Sequence, residues 1–460
     1  MIRPLALLAA FAIGVSAAAE HTALDRYVAA ADPSFRWQLA NQRATEAAAE
    51  YVLDMSSQNW RSKSEVDRTE WRHWVTIIIP KTVSSSTGFL FITGGANDGK
   101  MPAGAPANLR SMAIDTKSVV AELRMVPNQP LQFPGEPKGR VEDSFIAYTW
   151  DKFLRGGDEQ WPARLPMTKS AVRAMDAVTQ FCAGDQGGRL RVERFIVSGG
   201  SKRGWTTWVT AAVDRRVAGI VPIVIDALNV EKSFDHHFRA LGFWAPAIKD
   251  YVEMGIVDWS GTPEYKRLMD IEDPYSYRDR YTMPKFMVNS AGDRFFLPDS
   301  SRFYFDDLRG EKYLRYVPNT DHSLRNSDAF ESVHAYYSAL LAGRARPKLT
   351  WKFEKDGAIR VKTNGQPTAV KLWQVTNPDA RDFRLEKIGP RWQSSLVTGN
   401  GRDTYVARVA KPAKGWTAAF VELTYPSGGT YPFKFTTAVR VEPDTLPHPS
   451  PTRTRSRSAQ

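Results

Sequence analysis

Sulfur is scarce in this chain. One cysteine, Cys182, stands in 460 residues, so no disulfide can form within the chain and burial alone must hold the core. Cys182 lies in the apolar helical run Val178-Thr179-Gln180-Phe181-Cys182-Ala183 and reads as a small buried hydrophobe. Histidine is sparse too, at seven. None stands with cysteine at zinc-ligand spacing, so neither a metal site nor a resident cofactor is expected. After the first twenty residues no apolar run reaches the roughly 20 residues that a membrane helix needs. No basic run interleaves with aromatics, which excludes the pattern of a nucleic-acid binder. No blade-length repeat occurs, which excludes a propeller.

What is present is a globular composition, 42% hydrophobic, 12% aromatic and 24% charged. It is enough for one large core and a smaller one. The formal net charge is +12; Arg453, Arg455 and Arg457 near the end carry part of it. A small-molecule or peptide substrate is the expected partner, with an anionic envelope surface as a further candidate. Residues 1–19 have the layout of a signal peptide: Arg3, the apolar stretch Leu5 to Val15, then Ser16-Ala17-Ala18-Ala19. Export to a periplasm or beyond is the expectation.

Periodicity divides the rest. Thr22 to Asp54 reads as helical and mixed. Apolar strands follow at Trp71–Pro80, Gly88–Thr93, Val119–Val126, Arg194–Ser198, Val217–Ile225, Lys285–Ser290 and Lys312–Val317. Helices are expected at Ala107–Thr116, Pro166–Cys182, Trp205–Val213 and Phe330–Leu341. Near-continuous apolar strands alternating with helices predict a mostly parallel sheet with helices on both faces, an α/β domain over residues 20–345. Residues 226–283 lack strand character and are rich in aromatics, among them Phe234, Trp244, Tyr251 and Tyr265. They are read as a cap inserted at a strand end. From Lys348 to Val441 the period drops to two, with turns such as Thr363-Asn364-Gly365; an all-β sandwich over 346–442 is expected. Residues 443–460, basic and rich in Pro, Ser and Thr, read as a disordered tail.

The chemistry gathers at Val197-Ser198-Gly199-Gly200-Ser201-Lys202-Arg203-Gly204-Trp205. A serine at a glycine-rich corner between strand and helix has the form of a nucleophile elbow. Serine oxygen needs a base, and the base an orienting acid. By elimination the base is His322, in the loop after the last strand of the α/β region. His21 and His448 lie near the ends, His73 in an early strand, His236 and His237 in the insertion, and His334 within a helix. The acid is expected in Ser290-Ala291-Gly292-Asp293, with Asp293 first, Asp299 in the same loop and Asp226 after the preceding strand as alternatives. The oxyanion hole would combine the Lys202 N–H with that of Gly95 or Ala96, in the glycine-rich loop Gly94-Gly95-Ala96. Lys202 and Arg203 are candidates for charge preference, and Arg203 is the expected substrate-binding residue.

These residues, with Asp293-Arg294-Phe295-Phe296-Leu297-Pro298-Asp299 and Val317-Pro318-Asn319-Thr320-Asp321-His322, resemble the PhoPQ-activated pathogenicity-related proteins. Arg124-Met125-Val126-Pro127-Asn128-Gln129-Pro130 and Val224-Ile225-Asp226-Ala227-Leu228-Asn229-Val230 add to the resemblance, which runs from about Thr22 to about Val441. It implies the α/β-hydrolase fold. In one respect the elbow departs from G-x-S-x-G: its glycine comes one residue late, at Gly204. A basic residue directly after the serine is similar to glucuronoyl esterases, which implies an acidic-sugar ester among the candidate substrates. The expected activity is that of a serine hydrolase, esterase or peptidase; a non-catalytic binding protein on the same scaffold is the competing expectation.

Overall fold

A computed structural model of the chain describes residues 21–399 and 403–452; the signal segment read at 1–19 lies outside them. The chain opens with a short helix, α1 (Ala23–Ala29), capped by the Thr22 side chain. Strands β1 (Arg36–Ala44), β2 (Ala48–Asn59) and β3 (Glu70–Pro80) then pair antiparallel. The first two were not expected. Along β1 the side chains alternate between half-buried and exposed, so its apolar content is too low to signal a strand.

The α/β part follows in order: β4 (Thr87–Ile92), α2 (Ala107–Thr116), β5 (Val120–Leu123), α3 (Glu142–Gly156), α4 (Arg164–Ala183), β6 (Arg194–Gly200), α5 (Lys202–Val213) and β7 (Val217–Ile223). The insertion holds α6 (Val230–Leu241), α7 (Lys249–Glu253) and α8 (Pro263–Glu272), joined by 3-10 turns and without a strand. Then come β8 (Lys285–Ser290), β9 (Lys312–Val317) and α9 (Ala329–Leu341). Strands β5, β4, β6, β7, β8 and β9 lie side by side and parallel, with β3 antiparallel to β5. All carry short, nearly fully buried runs, as strands covered on both faces should. Cys182 is buried at the end of α4, and burial pushes its thiol up to about 12.

The C-terminal strands correct the expectation of a separate sandwich. They are β10 (Leu349–Phe353), β11 (Ala358–Thr363), β12 (Ala369–Asn377), then the helical turn α10 (Leu385–Ile388), β13 (Gln393–Leu396), β14 (Thr404–Arg408), β15 (Trp416–Tyr425), β16 (Phe433–Thr436) and β17 (Arg440–Glu442). β10, β11 and β14 form a small sheet of their own. The others extend the main sheet, since β16 pairs with β9 at Thr436 and Leu314. Phe435 stacks on Tyr313 at 4.1 Å, and Arg315 of β9 forms a buried ion pair with Glu422 of β15. One apolar cluster, including Val333, Ile359, Val421 and Phe435, takes in both regions. The junction is core, and two-period alternation cannot report whether a strand ends a new sheet or continues an old one.

The tail is likewise corrected for residues 443–452. Leu446 packs on Ala240, Leu241, Ala245 and Leu297. The His448 N–H donates to the Arg239 carbonyl at 3.1 Å, and Arg302 pairs with Asp444 at 2.7 Å. Those residues run along α6 without regular structure.

Candidate active site

Ser201 sits between β6 and α5 with φ 56 and ψ −122, a backbone state that costs a non-glycine residue about 1–3 kcal/mol. The surroundings hold it there. Its N–H donates to the Ile223 carbonyl at 2.8 Å, and its carbonyl accepts from Trp205 N–H at 2.9 Å. Of the glycines around it, Gly200 has open space, but Gly199 and Gly204 leave no room for a side chain. A β-carbon on Gly199 would lie 2.8 Å from the Arg203 carbonyl, and one on Gly204 2.8 Å from the carbonyls of Gly199 and Ile223. The late glycine of this elbow thus serves the close approach of α5 to the ends of β6 and β7. With Ser201 as N-cap, the first N–H groups of α5, Lys202 included, have no intrahelical acceptor and point toward the serine.

Asp293 and His322 stand at the carboxyl ends of β8 and β9. Asp293 Oδ2 accepts from His322 Nδ1 at 2.7 Å, while Oδ1 accepts from the Phe295 N–H at 2.7 Å. The Phe295 ring lies 4.4 Å from the imidazole. His322 Nε2 is buried and makes no hydrogen bond, to Ser201 or to any other described residue. The two loops are tied together: Ser290 Oγ donates to the Thr320 carbonyl at 2.8 Å and accepts from Gly292 N–H at 3.1 Å.

The alternative acids are engaged elsewhere. Asp226 accepts from the hydroxyls of Tyr304 and Tyr316, each at 2.6 Å, and burial pushes it up to about 7. Asp299 meets Arg381 at 2.6 Å and His236 Nε2 at 3.0 Å. Burial opposes its ionisation, but those two partners hold it well below the usual carboxylate range. His237 takes the Ala245 N–H at Nε2, 3.1 Å, and burial lowers it to about 4. His73 is buried between Ser57 and the Arg124 carbonyl.

The cations beside the serine, Arg203 of the expected substrate site included, are paired within the chain. Arg203 Nη1 and Nη2 donate to Glu142 at 2.9 and 2.6 Å, and its Nε donates to the Val126 carbonyl. Gly94 packs so closely on that guanidinium that a β-carbon there would clash with it. Arg203 therefore links α5 to the loop of Gly94, Gly95 and Ala96. Gly95 and Ala96 are exposed, and Gly95 adopts φ 138, a conformation open to glycine. Lys202 Nζ meets Asp143 at 2.8 Å and Glu142 at 3.2 Å. Asp143 also accepts from Tyr251 of the insertion at 3.1 Å. Burial works against ionised Glu142, but Arg203 and Lys202 outweigh it and bring the carboxyl down to about 2.

Glu142 and Asp143 escaped the sequence reading, as did the helix they begin; paired acids in a first turn were the available signal. A further layer lies beneath them. Arg164 is fully buried with Glu272 at 3.4 Å and stacks on Trp205 at 4.6 Å. Among the described residues no group of three or more His, Cys, Asp or Glu could hold a metal ion, and no helix is long and apolar enough to cross a membrane.

These observations describe a mixed α/β protein with a large sheet, whose candidate site occupies the carboxyl ends of neighbouring parallel strands, where such sheets bind ligands. The chain belongs to the family of PhoPQ-activated pathogenicity-related proteins, whose pattern it matches over residues 24–384. It is 38% identical to "Autocrine proliferation repressor protein A" of Dictyostelium discoideum, over 93% of this chain and 91% of that one. Among solved structures it is similar to acetyl xylan esterase 1 from Thermoanaerobacterium sp. JW/SL YS485, at 15% identity and a TM-score of 0.49, covering 69% of this chain and 92% of that one. Glucuronoyl esterase from Solibacter usitatus gives 13% identity and a TM-score of 0.38, covering 69% and 90%.

Proposed function

We propose that the chain is an exported serine hydrolase of the α/β-hydrolase type that cleaves an ester or amide bond. The observation that carries the reading is the Asp293–His322 contact of 2.7 Å, which leaves a buried, unpartnered Nε2 at the sheet end where Ser201 is held in a strained corner. In this mechanism Nε2 takes the Ser201 hydroxyl proton as Oγ attacks the carbonyl carbon. The Lys202 N–H and that of Gly95 or Ala96 stabilise the oxyanion, at about 3 kcal/mol of barrier per donor. The imidazolium passes its proton to the departing alkoxide or amine as the acyl–oxygen or acyl–nitrogen bond breaks. Water then attacks the acyl-enzyme, gives its proton to Nε2, and Ser201 is released. Asp293 keeps the proton on Nδ1 and stabilises the imidazolium.

Lys202 and Arg203 form part of the scaffold in this reading, and the helical insertion, touching the site through Tyr251 and Asp143, covers it. A fluorophosphonate probe tests the proposal: wild type should be labelled and Ser201→Ala should not. Absence of labelling in active-site-intact wild type would remove the hydrolase reading. Export rests on the pattern of residues 1–19; a secreted form whose N-terminus is found by mass spectrometry to retain Met1 would count against cleavage there.

A second reading is a binding protein without catalysis. What favours it is the similarity over nearly the whole chain to a protein named as an autocrine proliferation repressor. If Ser201→Ala retains a biological effect that wild type exerts, this reading stands and catalysis is not its basis.

A further inference from the structure

The segment between β12 and β13 runs beneath the loops that carry Asp293 and His322. Three contacts join it to them. The Leu385 N–H donates to the Gly292 carbonyl at 2.9 Å, directly before Asp293. Asn319, just before His322, donates from Nδ2 to the Trp392 carbonyl at 3.0 Å and accepts the Trp392 N–H at 2.9 Å. Arg381 meets Asp299, in the Asp293 loop, at 2.6 Å.

The segment is itself fixed. Phe383 and Trp392 are buried at 1% and 3% exposure. Trp392 lies 5.2 Å from the Phe420 ring, and Arg384 pairs with Asp382 at 2.6 Å. The three backbones are in contact at Gly292, where a β-carbon would lie 2.6 Å from the Thr320 carbonyl and 3.0 Å from Leu385 Cβ. The His322 loop has no helix or strand from 318 to 328. Asn319, Leu324 and Asn326 in it have left-handed φ of 56, 52 and 56. On its own side the imidazole meets Asp293 and lies 4.4 and 6.1 Å from the Phe295 and Phe296 rings.

We propose that residues 381–392 are a clamp that holds the His322 imidazole against Asp293, with Asn319 and Leu385 as its positioning residues. The proposal rests on the reading of His322 as the base. The region beyond the α/β part is then a component of the site, although it supplies no catalytic group. Displacing a base by about 1 Å costs on the order of 100-fold in rate.

Two variants of the full chain test it. Asn319→Gly keeps the left-handed backbone and removes both amide bonds to Trp392. Leu385→Pro removes the single N–H donor. Leu385 opens α10, where proline fits, and Arg384 before it has φ −60 and ψ 136, the conformation a residue preceding proline adopts. Asn319→Asp, which keeps the acceptor alone, is the conservative partner. The readouts are the rate of fluorophosphonate labelling and the low-field proton resonance of the His322 Nδ1–H, assigned by its loss in His322→Gln.

Labelling should slow about 100-fold in Asn319→Gly and about 10-fold in Leu385→Pro, with Asn319→Asp nearer wild type than Asn319→Gly. The resonance should broaden or move upfield in the first two. A merely structural role would lower the melting temperature and leave the resonance of the folded protein in place; that result, with wild-type labelling rates, overturns the clamp. If Asn319→Gly does not fold, Leu385→Pro decides. If wild type is not labelled, the hydrolase reading fails while the resonance still decides: displaced in the variants, the clamp stands; unchanged, or absent from wild type, it falls.

Discussion

Ser201 and His322 are held by different means. Around Ser201 the restraints are backbone: the Ile223 carbonyl, the Trp205 N–H, and glycines that let β6, α5 and β7 touch. Side chains enter one shell out, where Arg203 and Lys202 grip Glu142 and Asp143. Around His322 the loop has no regular structure, and the support arrives from Leu385 and Trp392, far along the chain. The lesson is that a strained serine can be held by a local corner, whereas a histidine on an irregular loop needs tertiary partners.

Breaking the histidine end should have the largest effect. If the proposed mechanism holds, Asp293→Asn should slow probe labelling about 10,000-fold, by presenting the wrong tautomer; a loss under tenfold would mean that another carboxylate serves. Next comes the join that brings the C-terminal strands to β9. Glu422→Ala removes one of the two carboxylates paired with the buried Arg315 guanidinium, leaving Asp328 at 2.8 Å, and should cost about 1–3 kcal/mol in urea unfolding. Two separate transitions, with the α/β part unaffected, would instead make the C-terminal region independent.

Gly204→Ala tests the elbow, forcing a β-carbon against two carbonyls at a cost of about 1–3 kcal/mol, read as a fall in melting temperature. Asp226 sharpens the comparison through pH. Its folded value of about 7 lies above the ordinary 3.8, so the folded state holds the proton longer and stability should fall as pH rises from about 4 to about 7. Asp226→Asn should flatten that slope in denaturant midpoints measured across the window. The smallest effect should be a gain: Ser201→Gly relieves the positive φ and should raise stability by about 1 kcal/mol, while abolishing labelling. A loss of stability would show that the corner is not strained.

The parallel strands β6, β8 and β9 were legible because each is a short apolar run, and the elbow because Gly-Gly-Ser sits where the period changes. His322 emerged because histidines are few. Of the carboxylates Asp226, Asp293 and Asp299, position in the chain put Asp293 first without deciding; in space two tyrosines hold Asp226, His322 meets Asp293, and His236 and Arg381 hold Asp299. β1 escaped because few of its side chains are buried, whereas β2 and α3 are mostly buried and their apolar content was there to read. That the C-terminal strands join β9 was not legible, because alternation reports a half-buried face and is silent about the neighbouring strand.

By itself the amino-acid order determined which residue types stand at which strand ends, since burial periodicity and glycine content are local properties. It determined the serine corner for the same reason. Only the tertiary structure decided which aspartate meets His322, that Arg203 and Lys202 face carboxylates of α3, and that the last quarter of the chain joins the core and bonds to the loops of Asp293 and His322. Those are outcomes of distance between residues remote in sequence, and hydrogen bonds and buried charges form only where the packed backbone brings both partners within about 3 Å.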